Sequence, residues 1–218
     1  MGLVGELSSA RLRDELELLL DEETVGEAVL RLGEIGLAHA IHPHLSADQE
    51  TVTLLERLDD VRRRFAPDEP RWRLRLAVLA RRLPPAELYE WFGRLRLRRR
   101  DGDEIADAVV VSGRLVEALE HVDEPAEARR LIEPHAPGGA LLALALAEPG
   151  AAAEWLERYF EELRDVRLEI SGADLAELGL RESPRVGEVL GELLRRKLNG
   201  ELAGRAGELE AAKALIRA

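Results

Sequence analysis

Apolar residues recur three and four positions apart along most of this 218-residue chain, the spacing that lines one face of a helix. Leu12, Leu16, Leu19 and Leu20 form a first stripe behind Ser8-Ser9, which can cap it, and Val25, Ala28, Leu32 and Ile35 form a second that stops at Gly36. A third stripe of Val52, Leu55, Leu58 and Val61 reaches Phe65, and Ser46 with Gln49 reads as its capping box. Pro67 and Pro70 mark a linker, after which Trp72, Leu76, Leu79 and Leu83 run to Pro84-Pro85, and a short piece carries Leu88, Trp91 and Phe92. Asp101 with Glu104 reads as a cap for a helix from Asp103 to about His121, burying Ile105, Val109, Leu115 and Leu119. Pro125 opens another helix and Pro134 closes it. The run from Ala140 to Ala147 is apolar on all sides and belongs at the centre of a bundle. Trp155, Leu156, Tyr159, Phe160 and Leu163 give the segment from Ala151 to Arg164 its buried face.

The last fifty residues hold shorter elements. Val166 to Ile170 reads as extended, Ser171 caps a brief helix ended by Gly179, and a longer helix runs from Ser183-Pro184 to Asn199-Gly200. Glu208 to Ile216 supplies a final short helix. Together these stripes predict an all-α protein, an elongated multi-helix bundle of short antiparallel helices without substantial sheet. Its punctuation suggests three segments, 1–66, 67–165 and 166–218.

Composition agrees with helix. The chain is 46% hydrophobic but only 4% aromatic, so Leu, Ala and Val must build the core, and Leu and Ala are strong helix formers. With no cysteine, disulfides and thiolate metal sites are excluded. No secretory signal is visible, and the longest apolar run falls far short of the roughly 20 residues needed to span a bilayer, so a cytoplasmic location without a membrane partner is expected.

A net charge of −12 argues against a general nucleic-acid binder, yet the charge is unevenly spread. From Arg57 to Arg100 fourteen arginines face six acids, a local +8 that leaves −20 for the rest. Such a block can steer a polyanion. Arg outnumbers Lys 29 to 2, and Arg is the better fork for phosphate.

The order Ile170-Ser-Gly-x-Asp-Leu-x-x-Leu-Gly-Leu, then Pro184-x-Val-Gly187-x-Val-Leu-x-x-Leu-Leu, then Asn199-Gly200-Glu-Leu resembles the carboxy-terminal signature of bacterial tRNA nucleotidyltransferases, the CCA-adding enzymes and related poly(A) polymerases. That family usually has Gly-Pro ahead of the longer helix, where this chain has Ser183-Pro184. A second, collinear resemblance lies in SSARLRDELELLL followed by AVLRLGEIGLAHAIHPHL, similar to the family's passage from neck to body, with Arg11, Arg13, Glu15 and Leu16 at matching positions. Gly93 followed by RLRLRRR resembles the family's Leu-Arg-Leu-Ser element. The resemblance runs from about Ser8 to Ile216 and makes 1–66 neck-to-body helices, 67–165 the body and 166–218 the tail.

What it implies is an RNA-binding role. In the family this region holds the acceptor stem and T-arm of tRNA, so tRNA or another structured RNA is the expected partner, in tRNA 3′-end maturation. Arg62, Arg63 and Arg64, then Arg94, Arg96, Arg98, Arg99 and Arg100, then Arg185, Arg195, Arg196 and Lys197 are the candidate phosphate contacts. The family's Gly-rich turn, metal-binding carboxylates and base-reading motif would precede residue 1. A catalytic head is therefore an expected partner in the full-length protein, and Mg2+ with ATP or CTP is expected only with that head. The chain alone is expected to be inactive, because phosphoryl transfer needs positioned metal ions and no residue here takes a catalytic role. Two other readings stay open: a duplex-DNA-binding module, since Leu178 to Leu190 partly resembles a helix-hairpin-helix, and a helical protein-interaction scaffold. His39, His42 and His44 read as a surface turn rather than metal ligands, because Pro43 breaks any helix that would align the rings.

Overall fold

The apolar run sits where its composition requires. In the computed structural model, which describes residues 9–181 and 183–217, helix α9 (Gly138–Leu146) is buried continuously from Gly139 to Ala145. It lies against α7 (Arg99–Leu119), α4 (Gln49–Phe65) and α5 (Arg71–Ala80), and its small alanines let the neighbouring backbones approach. Around this centre stand α1 (Ser9–Asp21), α2 (Gly26–Glu34), α3 (Leu37–Ile41), α6 (Pro85–Leu95), α8 (Pro125–Ile132) and α10 (Ala151–Glu161). The tail comprises α11 (Gly172–Glu177), α12 (Pro184–Leu198) and α13 (Gly204–Arg217). Thirteen α-helices and no strand occur among the described residues, which makes the fold all-α. No helix among them is long and apolar enough to cross a membrane.

Two apolar cores result. A large one runs from Leu16 to Leu163 and continues through residue 66 without a break; it also takes in Leu198 of α12. Pro67 and Pro70 therefore mark a turn over a shared core, and Arg62 closes that turn by donating to the Pro67 and Glu69 carbonyls. A small core of Ile170, Leu175, Leu180, Val189, Leu193 and Ala212 holds the tail together. Within it Glu208 is fully buried, accepts the Glu169 and Ile170 backbone N–H groups at 2.8 and 3.1 Å, and pairs with Lys197 at 2.6 Å. Asn199 joins tail to body: its Oδ1 accepts the Ala126 N–H at 3.0 Å, capping α8 from outside the helix, while its Nδ2 donates to Glu124 at 2.8 Å.

The caps are partly as expected. Ser171 and Asp174 form the capping box of α11, and Gly179 takes the left-handed φ of +94° just past its end. At α4 the cap is Asp48, not Ser46 with Gln49; Ser46 is buried and donates its N–H to Leu79. Asp101 is no cap either, because α7 begins at Arg99 and carries Asp101 inward in its first turn, where it pairs with Arg73 at 2.7 Å. The final helix is longer than Glu208 to Ile216, starting at Gly204, since packing on α12 extends it.

Asp48 accepts from the Thr51 hydroxyl at 2.6 Å, the Thr51 N–H at 2.8 Å and Arg82 at 2.9 Å. The Thr51 hydroxyl bond, foremost among these, holds the Asp48 carboxyl at about 2. A carboxyl depressed in this way stabilises the fold above its ordinary range near 4 and loses that contribution as pH falls through about 2. Asp48→Ala should therefore cost about 1 kcal/mol at pH 7 in urea unfolding, and the difference from wild type should shrink between pH 4 and pH 2. A cost that stays constant over that range would show that the charge is not what Asp48 contributes.

Candidate nucleic-acid interface

The stretch Arg94 to Arg100 spans the end of α6, the turn at residues 96–98 and the start of α7. Pro85 at the first position of α6 sets its start, and Leu88, Trp91, Phe92 and Leu95 bury its inner face. Beyond Leu95 the alternation of Arg and Leu decides which side chains go in. Leu95 and Leu97 turn toward the core, and Arg94, Arg96 and Arg98 are left exposed. Arg96 ends α6 in the left-handed region at φ +55°, the one non-glycine residue there among those described. Arg13 of α1 fixes this conformation by donating to the Arg96 carbonyl at 2.9 Å. Asp14 and Glu17 on the same helix hold Arg13 in turn, at 2.6 and 3.7 Å. A polar cavity of about 460 Å³, lined by Arg13, Glu17, Trp72, Arg98 and Asp101, lies beside the turn.

The charges around this turn differ sharply from those elsewhere in the basic block. Arg94, Arg96 and Arg98 carry no ion pair among the described residues. Arg99 is 95% exposed with Asp103 at 3.7 Å, and Arg100 is also open to solvent with Glu104 at 2.8 Å. Both sit in the first turn of α7, where the helix dipole disfavours cations.

The other candidate cations are largely engaged by the protein itself. Arg62 is buried on backbone carbonyls, and burial lowers its pKa. Arg63 pairs with Asp60, and Arg64 bridges Glu157 and Glu161 while lying over the Phe65 ring at 4.4 Å. Arg185 does not reach toward the start of its own helix; it donates to the Leu215 and Ile216 carbonyls at the end of α13. Arg195 and Arg196 share Glu192, whose carboxyl they hold at about 2, Arg195 foremost. Lys197 is committed to Glu208 and Glu169. Arg11 and Glu15 lie 4.0 Å apart on the exposed side of α1. Of the twelve cations read from the sequence, Arg94, Arg96 and Arg98 at the α6–α7 turn are the three without an ion pair or side-chain hydrogen bond among the described residues.

The fold is shared with about half of the chain of solved CCA-adding enzymes. All of this chain superposes on 53% of a CCA-adding enzyme solved with CTP, with a TM-score of 0.77 and 22% identity. A CCA-adding enzyme of Thermotoga maritima complexed with tRNA gives a TM-score of 0.78 over 99% of this chain and 53% of its own, at 22% identity. In sequence, the chain is similar to the A-adding tRNA nucleotidyltransferase of Geobacter sulfurreducens, 26% identical over 223 residues that span 97% of this chain and 25% of that protein. The resemblance carried by the tail and neck motifs is therefore met again in both sequence and fold. The chain spans about half the length of the solved relatives and a quarter of the curated one. No family model matches it.

Proposed function

We propose that this chain is the RNA-holding helical region of a tRNA nucleotidyltransferase-like protein and that the α6–α7 turn is where the phosphate backbone of tRNA lies. One observation carries the reading: Arg96 occupies a left-handed backbone position with its guanidinium exposed and unpaired. An L-residue there is disfavoured by about 1–2 kcal/mol, and glycine would avoid the strain. The helix end and Arg13 account for the backbone conformation, but not for an arginine rather than a glycine at that position, and an exposed guanidinium there suits a ligand outside the protein. Arg94 and Arg98 flank it, and a phosphate at the start of α7 would relieve the unfavourable placement of Arg99 and Arg100. Shape and phosphate contacts suit a folded RNA, whose deep groove side chains cannot read. Within this reading, nucleotide transfer with Mg2+ and ATP or CTP belongs to a catalytic head, and the chain contributes grip on the substrate.

Arg96→Gly separates the two roles of that residue. Relief of strain, offset by the greater entropy of an unfolded glycine, should leave stability unchanged or raise it by up to about 1 kcal/mol. Affinity for tRNA should fall at the same time, measured by filter binding or anisotropy. A variant that binds tRNA as wild type does would remove Arg96 from the interface.

A further inference from the structure

The expected surface turn holds for His44; His39 is exposed but lies within α3, and His42 is only 4% exposed and stands against Trp91 with ring centroids 5.6 Å apart. Pro43 folds the chain back so that both His42 and His44 face Glu87 in the first turn of α6. The Glu87 Oε2 lies 3.0 Å from His44 Nδ1 and 3.6 Å from His42 Nε2. One ligand atom from each of the three residues lies within 4.8 Å of the other two. Nitrogen and oxygen ligands placed tetrahedrally about Zn2+ stand roughly 3.3 Å from one another, so these separations straddle what such an ion requires.

We propose that His42, His44 and Glu87 form a binding site for a divalent transition metal, Zn2+ foremost, with water as the fourth ligand. Two imidazoles and one carboxylate suit Zn2+ and disfavour Mg2+ and Ca2+, which seek oxygen. His42 is held in place for the role, buried against Trp91 with its Nε2 turned toward Glu87. Among the neighbouring charges, Arg94 opposes a cation here while Glu90 and Glu87 favour one. The exposure of His44 and Glu87 gives the ion a path in and lets the His44 ring swing to close the set. Coordination through Nε2 moves the His42 proton to Nδ1, which now accepts the His44 N–H at 3.2 Å. Binding therefore gives up that one long hydrogen bond. The ion would tie the loop after α3 to the start of α6. This site shares no residue with the proposed phosphate contacts, so it stands or falls apart from the RNA reading.

Calorimetric titration of the untagged, metal-stripped chain with ZnCl2 tests the site. One equivalent should bind, MgCl2 should give no heat, and the amide resonance of His44 should shift on binding. His44→Ala and Glu87→Gln should each weaken Zn2+ binding at least about tenfold. His135→Ala, which breaks the unrelated contact of His135 with Asp107 at 3.0 Å, should leave it unchanged. Absence of Zn2+ binding by the wild-type chain, or wild-type affinity in both site variants, would overturn the proposal.

Discussion

Replacing Arg75 by Ala is expected to destabilise the protein by about 3–5 kcal/mol, a large share of the 5–15 kcal/mol that holds a typical domain together. Arg75 is 1% exposed in the middle of α5. Its Nη1 donates to the Leu20 carbonyl at 2.8 Å and to that of Glu22, and its Nη2 reaches Glu23 at 3.4 Å. These carbonyls belong to the end of α1 and the loop after it, a place where a helix leaves acceptors without internal partners. A bidentate pair with Asp59 of α4, at 3.1 and 2.6 Å, completes the clasp. One side chain therefore ties together α1, α4 and α5. Its loss would strand several carbonyls and a half-buried carboxylate, which is why removing one partner costs more than the pair itself contributes. Pairing Arg75→Ala with Asp59→Ala should recover part of the loss, because the stranded charge is then gone. Urea unfolding measures both. A single-variant cost below about 1 kcal/mol would mean that water replaces the clasp.

The same residue shows where the sequence stops being informative. Fourteen arginines between positions 57 and 100 look alike in one letter, and only the fold sorts them. Arg62 and Arg75 serve backbone carbonyls, Arg73 and Arg82 pair with acids far along the chain, and the side chains of Arg94, Arg96 and Arg98 make no ion pair or hydrogen bond among the described residues. Elements were far more legible, because periodicity and capping are local. The all-apolar run did become the buried α9, and Ser171 did cap α11, with Asp174 completing a capping box. Where two candidate polar residues lay close together, local signals chose wrongly. Asp48 outcompeted Ser46 because a carboxylate bonds both the N–H and the hydroxyl of Thr51, and Asp101 was drawn inward by Arg73, some thirty residues away. The meeting of His42 and His44 with Glu87 was invisible for the same reason, since a stripe on α6 does not reveal what its first turn faces. The left-handed conformation of Arg96 left no mark, as turns of that kind are usually signalled by Gly or Asn.

The triple replacement of Arg94, Arg96 and Arg98 by Ala should weaken tRNA binding while sparing the fold, because these side chains form no ion pair or hydrogen bond among the described residues. Each phosphate contact releases condensed counterions, so losing three should reduce the log–log dependence of affinity on salt by about 2–3 units. At moderate salt the affinity itself should fall roughly a hundredfold, counting each lost contact as about 1 kcal/mol. Arg195→Ala with Arg196→Ala is the matched control: two cations are removed, but both were already shared with Glu192. That pair should change the slope by much less than its number of charges suggests, since cations already paired with a carboxylate neutralise few phosphates and so release few of the RNA's condensed counterions.

The account turns on that comparison, and the deciding measurement is the salt dependence of tRNA binding by the wild-type chain, the triple variant and the tail variant, with duplex DNA as competitor. A steep slope for the wild type, flattened in the triple variant and nearly kept in the tail variant, with tRNA preferred over duplex DNA, is the expected result. Equal slopes for all three proteins with helix content intact would contradict it, and would mean that the turn between α6 and α7 faces something other than RNA.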